Sequence, residues 1–220
     1  MKPNLWLYSS QEEMMGTGAS LIVFGAGVFK RAKVINEFDQ LNRIYLDRKN
    51  GAAKISDPIL QEFIFEYLID CVRIAIFFEN YMKAELIVNG FCVHKIKKGI
   101  PKFEALAEEQ RKGPVKVRDI HSVEAFQVND QTKTIYHNAI KETTLGISEL
   151  TGTTEYTKHY KFDKTTLDYL KELNQKRNNL HFHESVEFEL SDRFLKKIKN
   201  LNAFVDLVMN TFIKYNGGKK

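Results

Sequence analysis

The stretch SDPILQEFIFEYLIDCVRIAIFFENYMKAELIVNG, Ser56 to Gly90, decides the fold. It opens on Ser56 and Asp57, whose side chains can accept from the first free amides of a helix. Pro58 follows, with a fixed φ suited to the first helical position. Apolar residues then recur at Ile59, Phe63, Tyr67, Val72, Ala75, Phe78, Met82 and Leu86, the spacing of one helix face. Asn89 and Gly90 close the run as a C-terminal signature. The pattern predicts one helix over Pro58–Asn89, a length suited to a bundle rather than to a small α/β unit.

Further periodic runs flank it. A second helix is expected from Asp163, as N-cap, through Leu167, Leu170 and Leu173 to Arg177 and Leu180. A third begins after Ser191 or Asp192 and carries Phe194, Ile198, Leu201, Val205, Val208 and Phe212 on one face until Asn216, Gly217 and Gly218 end it. Leu21 to Ile44 supply a fourth. Each apolar stripe must be covered by another, so the expected fold class is all-α, an antiparallel helical bundle in a single domain over 1–220. Periodicity weakens from about 101 to 162, which reads as an irregular insertion. Within it GISELTGTTEY, 146–156, reads as a loop. AFQVNDQTKTIYH, 125–137, reads as a short β-hairpin turning at Asn129 and Asp130, or else as irregular chain rich in Lys and Glu.

With 220 residues, 43% of them hydrophobic, the chain can bury a substantial core without metal or disulfides. Cys71 and Cys92 are the only cysteines, both in surroundings read as apolar and helical, which points to a reduced, cytoplasmic protein. The apolar run SLIVFGAGVF, 20–29, is too short to cross a bilayer. Gln11, Glu12 and Glu13 precede it where a signal peptide would carry basic residues, so no membrane association is expected. A net charge of +5 gives a mild positive field that favours polyanions such as RNA. Basic residues gather at Lys30–Lys33, Lys95–Gly99 and Leu195–Lys199; each group reads as a solvated face or as a contact for a polyanion.

The densest chemistry lies in KRNNLHFHE, Lys176 to Glu184. Past Leu180 the residues alternate, with Phe182, Val186, Phe188 and Leu190 on one side and His181, His183, Ser185 and Glu187 on the other. The helix is therefore expected to end within the motif, leaving both histidines on one face of an extended segment. On a helix that continued, His181 would lie one turn from Arg177 and His183 would rotate away. Glu79 and Asn80 read as a polar face of the long helix, whereas Lys83 and His94 read as surface groups.

Two places resemble the HEPN superfamily of helical bundles, many of whose members are metal-independent ribonucleases. The family motif is an arginine, usually followed by a polar residue, then a histidine after four to six intervening residues. Here Arg177 and Asn178 are followed by His183 after five, and by His181 after three. The segment FFENYMKAELIVNGFCVHKIKK, Phe77 to Lys98, looks like the family's early helix, with an acidic residue, a lysine and a glycine exit before a histidine. The resemblance implies an endoribonuclease of a toxin or defence system, acting as a homodimer on RNA, with an antitoxin or other defence-system protein as a further partner and no cofactor. Arg177 and His183 would be catalytic, Asn178 would assist, and His181 would be the substitute base. RNA supplies its own nucleophile, so proton transfer by a histidine and charge stabilisation by an arginine suffice to cut it. A different class of reading stays open: a non-catalytic module of the same fold that binds RNA, a nucleotide or a partner protein.

Two other signals compete. His181 and His183 form a His-x-His pair suited to two metal ligands, but none of His94, His121, His137 and His159 stands at a spacing that predicts a third. Gly25 and Gly27 after an apolar run mimic a dinucleotide-binding turn, yet Lys30 stands where the third glycine belongs and no alternating strands and helices follow. A packed helix with small residues at a close crossing accounts for them better.

Overall fold

The computed structural model describes residues 4–6, 10–51, 58–96, 113–121, 127–129, 134–136, 140–179 and 188–217. The fold is all-α in its framework. Its long helices are α1 (Gln11–Phe29), α3 (Phe38–Lys49), α4 (Pro58–Val88), α8 (Lys164–Asn179) and α9 (Asp192–Gly217). Shorter helices are α2 (Lys33–Asn36), α5 (Val117–His121), α6 (Ile147–Leu150) and α7 (Thr154–Thr157). The strands are β1 (Asn4–Trp6), β2 (His94–Ile96), β3 (Gln127–Asn129), β4 (Thr134–Tyr136) and β5 (Ile140–Thr144).

The helix expected over Pro58–Asn89 forms as α4, one residue shorter. Its capping residues Ser56 and Asp57 lie outside the described residues. At its end Gly90 adopts φ 75°, a left-handed conformation that costs glycine little. The Phe91 amide donates to the Leu86 carbonyl at 2.9 Å and the Gly90 amide to that of Ile87 at 2.8 Å, the paired bonds of a Schellman stop. Asp163 caps α8 by accepting from the Thr166 amide at 2.7 Å, and Ser191 caps α9 by accepting from the Phe194 amide at 3.3 Å.

Three expectations are corrected. Leu21–Ile44 is not one helix: α1 starts earlier, at Gln11, and the chain breaks at Ala32, extended with φ −65° and ψ 128°, before α2 and α3. The break is held by a distant residue. Ala32 offers no side-chain cap, and the Val34 amide instead donates to the Asp70 carboxylate of α4 at 2.9 Å. GISELTGTTEY is not all loop but contains α6 and α7; the Glu149 side chain turns back to accept from the Gly146 amide at 2.9 Å and so closes the first turn of α6. Cys92 lies beyond the helix end, not in helical surroundings, although it is buried.

The chain gathers into two compact units, divided within α1, within α4 and before α8. The first comprises 1–21 and 79–162. There α1 meets the end of α4 closely: a Cβ on Gly18 would stand 2.9 Å from Val88 Cγ2. Of the two glycines expected at a close crossing, Gly27 has open space around it whereas Gly25 is buried. The hairpin expected at 125–137 forms as β3 and β4, in register from Gln127↔Tyr136 to Asn129↔Thr134, so Asn129 ends a strand rather than making the turn, and β1 adds to β4 on its other side. A separate pair, β2 with β5, is antiparallel through His94↔Thr144 and Ile96↔Ile140.

The second unit comprises 22–78 and 163–220. Its core is aromatic: Phe29, Phe63, Phe77 and Phe78 are fully buried, with Leu41, Leu60 and Ile74. Phe78 meets Phe77 edge-on at 5.0 Å and stacks on Phe204 at 5.8 Å. Among the described residues no helix is long and apolar enough to cross a membrane.

Candidate functional site

In the second unit, Arg177 and Asn178 fall in the last turn of α8, and the Arg177 side chain is half-buried. His181 and His183 lie outside the described residues, as does the Asn178 side chain. What it does place are the two flanks of the motif, and both reach Tyr67 of α4. On one side Lys176 donates to the Tyr67 hydroxyl at 3.2 Å, with its ammonium 5.1 Å from the ring centre. On the other, Phe188 packs edge-on against the same ring at 4.8 Å, with Phe194 at 5.6 Å. Tyr67 is buried, and burial pushes its phenol well above the ordinary range, so the hydroxyl stays protonated and serves as a fixed hydrogen-bonding post.

Glu172, one turn before Lys176, ties this place to α9. It accepts from Lys176 at 3.1 Å and from Lys197 at 3.1 Å. Burial pushes its carboxyl up, but the two lysines outweigh burial and hold it below the usual range. The i,i+4 order of Glu172 before Lys176 also suits the helix dipole.

A second constellation lies in the first unit, on the segment likened to the family's early helix. Lys83, read from the sequence as a surface group, is only 8% exposed. Its ammonium donates to Glu79 at 2.7 Å, one turn back on α4, and to the Thr144 hydroxyl of β5 at 2.8 Å. Thr144 stands opposite His94 in the strand pair. His94 is half-buried rather than a surface group; burial and then the nearby Lys83 charge lower its pKa below the ordinary imidazole value. A neutral imidazole can accept a proton, and an ammonium fixed by a carboxylate can steady a neighbouring negative charge. Thr144 was invisible to sequence reasoning because its strand lies 61 residues beyond Lys83 and has no helical period.

The His94 shift has a measurable consequence. The folded state binds its proton less readily than the unfolded chain, so this stability is present above the unfolded pKa near 6.5 and is lost as pH falls through the lower folded value. His159, tilted against Phe91 at 4.7 Å, shifts the same way, through burial and then the charges of Lys158 and Lys116. The urea midpoint is therefore expected to fall on acidification below 6.5. His94→Gln should flatten part of that slope and His94→Gln with His159→Gln more of it; an unchanged slope in both would refute the assignment.

Among the described residues, no group of three or more His, Cys, Asp or Glu side chains is arranged to hold a metal ion. Of the three basic groups read from the sequence, the one at Lys30–Lys33 is largely neutralised: Lys30 pairs with Asp206 at 2.7 Å, and Lys33 with Glu62 at 2.8 Å and Glu37 at 3.3 Å. In the group at Lys95–Gly99, Lys95 pairs with Glu149, and residues from Lys97 onward lie outside the described residues. The group at Leu195–Lys199 borders a cleft of about 260 Å³ in the second unit. No protein-family model, no curated protein and no solved structure matches the chain.

Proposed function

We propose that the protein is a metal-independent endoribonuclease of a HEPN-like kind, working in a toxin or defence system. The observation that supports this reading is the anchoring of the Arg177 motif: both described flanks, Lys176 and Phe188, dock on the buried Tyr67 of an all-α framework. Catalytic groups act at fixed geometry only when rigid elements hold their surroundings, and Lys176 and Phe188, the described residues on either side of the motif, are held in that way.

In the proposed reaction the ribose 2′-hydroxyl attacks the adjacent phosphorus. The P–O2′ bond forms, the P–O5′ bond breaks, and a 2′,3′-cyclic phosphate remains on the upstream fragment. His183, or His181 in its place, takes the 2′-hydroxyl proton, and the departing 5′-oxygen gains a proton from a second acid or from water. Arg177 holds two phosphate oxygens in its fork and stabilises the charge growing on them, while Asn178 orients the phosphate or the imidazole. A homodimer would set two such motifs in one cleft, and an antitoxin or other defence-system protein would restrain them.

The test is incubation of the purified protein with mixed RNA in excess chelator, followed by analysis of fragment ends. Wild type is expected to give cyclic-phosphate ends. Arg177→Ala should cut about a hundredfold more slowly, the usual loss on deleting one charge-stabilising donor. His183→Ala or His181→Ala should be impaired similarly, and the impaired one is the base. Cleavage by all four proteins alike, or by none, would overturn the nuclease reading. The second reading, a non-catalytic module binding RNA, a nucleotide or a partner protein, is favoured by the basic cleft on α9.

A further inference from the structure

The cleft of about 260 Å³ runs between the first turns of α8 and the first turns of α9. Its rim carries Arg193, Lys196 and Lys197 from one face of α9, and Thr165 and Thr166 from the start of α8, over Tyr169. Among the described residues the only acid lining it, Asp163, is occupied by the Thr166 amide at 2.7 Å. Lys197 is also accounted for: it pairs with Glu172 at 3.1 Å and lies over the Tyr169 ring at 4.4 Å.

Arg193 and Lys196 differ. Both are exposed, and among the described residues neither makes a hydrogen bond, ion pair or ring contact. They stand three residues apart on the helix, where like charges repel, and they do so beside a concave surface rather than on an open face. Other lysines of the same unit, Lys30, Lys33, Lys49 and Lys176, each have a carboxylate within 3.4 Å. Lys171 and Lys199 are exposed as well, but neither lines the cleft. At this hollow, then, two uncompensated cations converge. An anion entering there would relieve the repulsion and find a guanidinium fork, an ammonium and the hydroxyl of Thr165.

We propose that this cleft binds a phosphate group, with Arg193 and Lys196 as its ligands. The proposal deepens the RNA reading and rests on it for the source of the phosphate: an internal phosphodiester of RNA rather than the terminal phosphate of a nucleotide.

The test measures binding of a fluorescent single-stranded RNA whose riboses are 2′-O-methylated, so that it cannot be cut and the result is independent of nuclease activity. The double variant Arg193→Gln with Lys196→Gln is compared with Arg43→Gln and Lys171→Gln together, which removes the same charge from exposed positions outside the cleft. The cleft variant is expected to bind about tenfold more weakly, with the log–log salt slope reduced by about 0.7 for each phosphate no longer neutralised. The control pair should change affinity less than about twofold, since its charges stand away from the bound phosphate. A parallel titration uses adenosine monophosphate and inorganic phosphate. If these bind wild type but not the cleft variant while RNA affinity is unchanged, the phosphate site stands and its source is a terminal phosphate. Equal losses in the two RNA-binding variants, or no loss of RNA or phosphate binding in either, would overturn the proposal. Thermal midpoints recorded alongside exclude unfolding as the cause.

Discussion

Replacing Asp70 by alanine is expected to destabilise the protein by about 3 kcal/mol, because a buried carboxylate is removed from a backbone amide that cannot turn to water. Asp70 is fully buried. It accepts from the Val34 amide at 2.9 Å and from Arg73 at 2.9 Å. Val34 is itself 0% exposed, so its amide would be left unpaired. Arg73 keeps Glu66 at 3.2 Å and suffers less. Asp70→Asn should cost about 1 kcal/mol, since the amide oxygen can still accept from Val34. Burial raises the Asp70 pKa, against the backbone amides and Arg73, which lower it. With the folded value above the unfolded 3.8, this group's contribution is full below 3.8 and is lost as pH rises through the folded value. The stability gap between wild type and Asp70→Asn should therefore narrow on going up from acid. Urea unfolding at several pH values measures all of this; a gap that widens instead would reverse the assignment.

The second large effect is expected at Phe78. Its ring is fully buried, meeting Phe77 at 5.0 Å, Phe204 at 5.8 Å and Phe29 at 6.4 Å. Phe78→Ala removes those contacts and leaves a cavity among rings held by several helices, so a loss of about 4 kcal/mol is expected. Phe65, on the same helix, is 78% exposed, and Phe65→Ala should change stability by less than about 0.5 kcal/mol. The comparison holds helix and residue type fixed and varies burial alone. Equal midpoints for the two variants would show that the ring cluster does not carry the core.

What the sequence revealed follows the range of the forces involved. The ends of α4, α8 and α9 were legible because local groups set them: Gly90, Asp163 and Ser191 act within a few residues of themselves. The break at Ala32 was not legible. No glycine or proline marks it, and the group that stabilises it, Asp70, lies 36 residues from Val34. Burial of Lys83 escaped for the same reason, since Thr144 comes from a strand far along the chain. Helices of a single turn, such as α6 and α7, are too short for a period to be read. At the candidate site, Arg177 and Asn178 take their expected place on α8, while the two histidines lie beyond the described residues.

The two cysteines fall one in each unit, Cys71 in the second and Cys92 in the first. Both are buried, and burial pushes their thiols up, to about 11 for Cys71 and about 12 for Cys92. The thiolate is the reacting species, so neither sulfur can be labelled while its surroundings stay closed. The chain thereby carries two intrinsic clocks: the rate at which each thiol yields to an alkylating reagent reports how often its own unit opens, without any introduced probe.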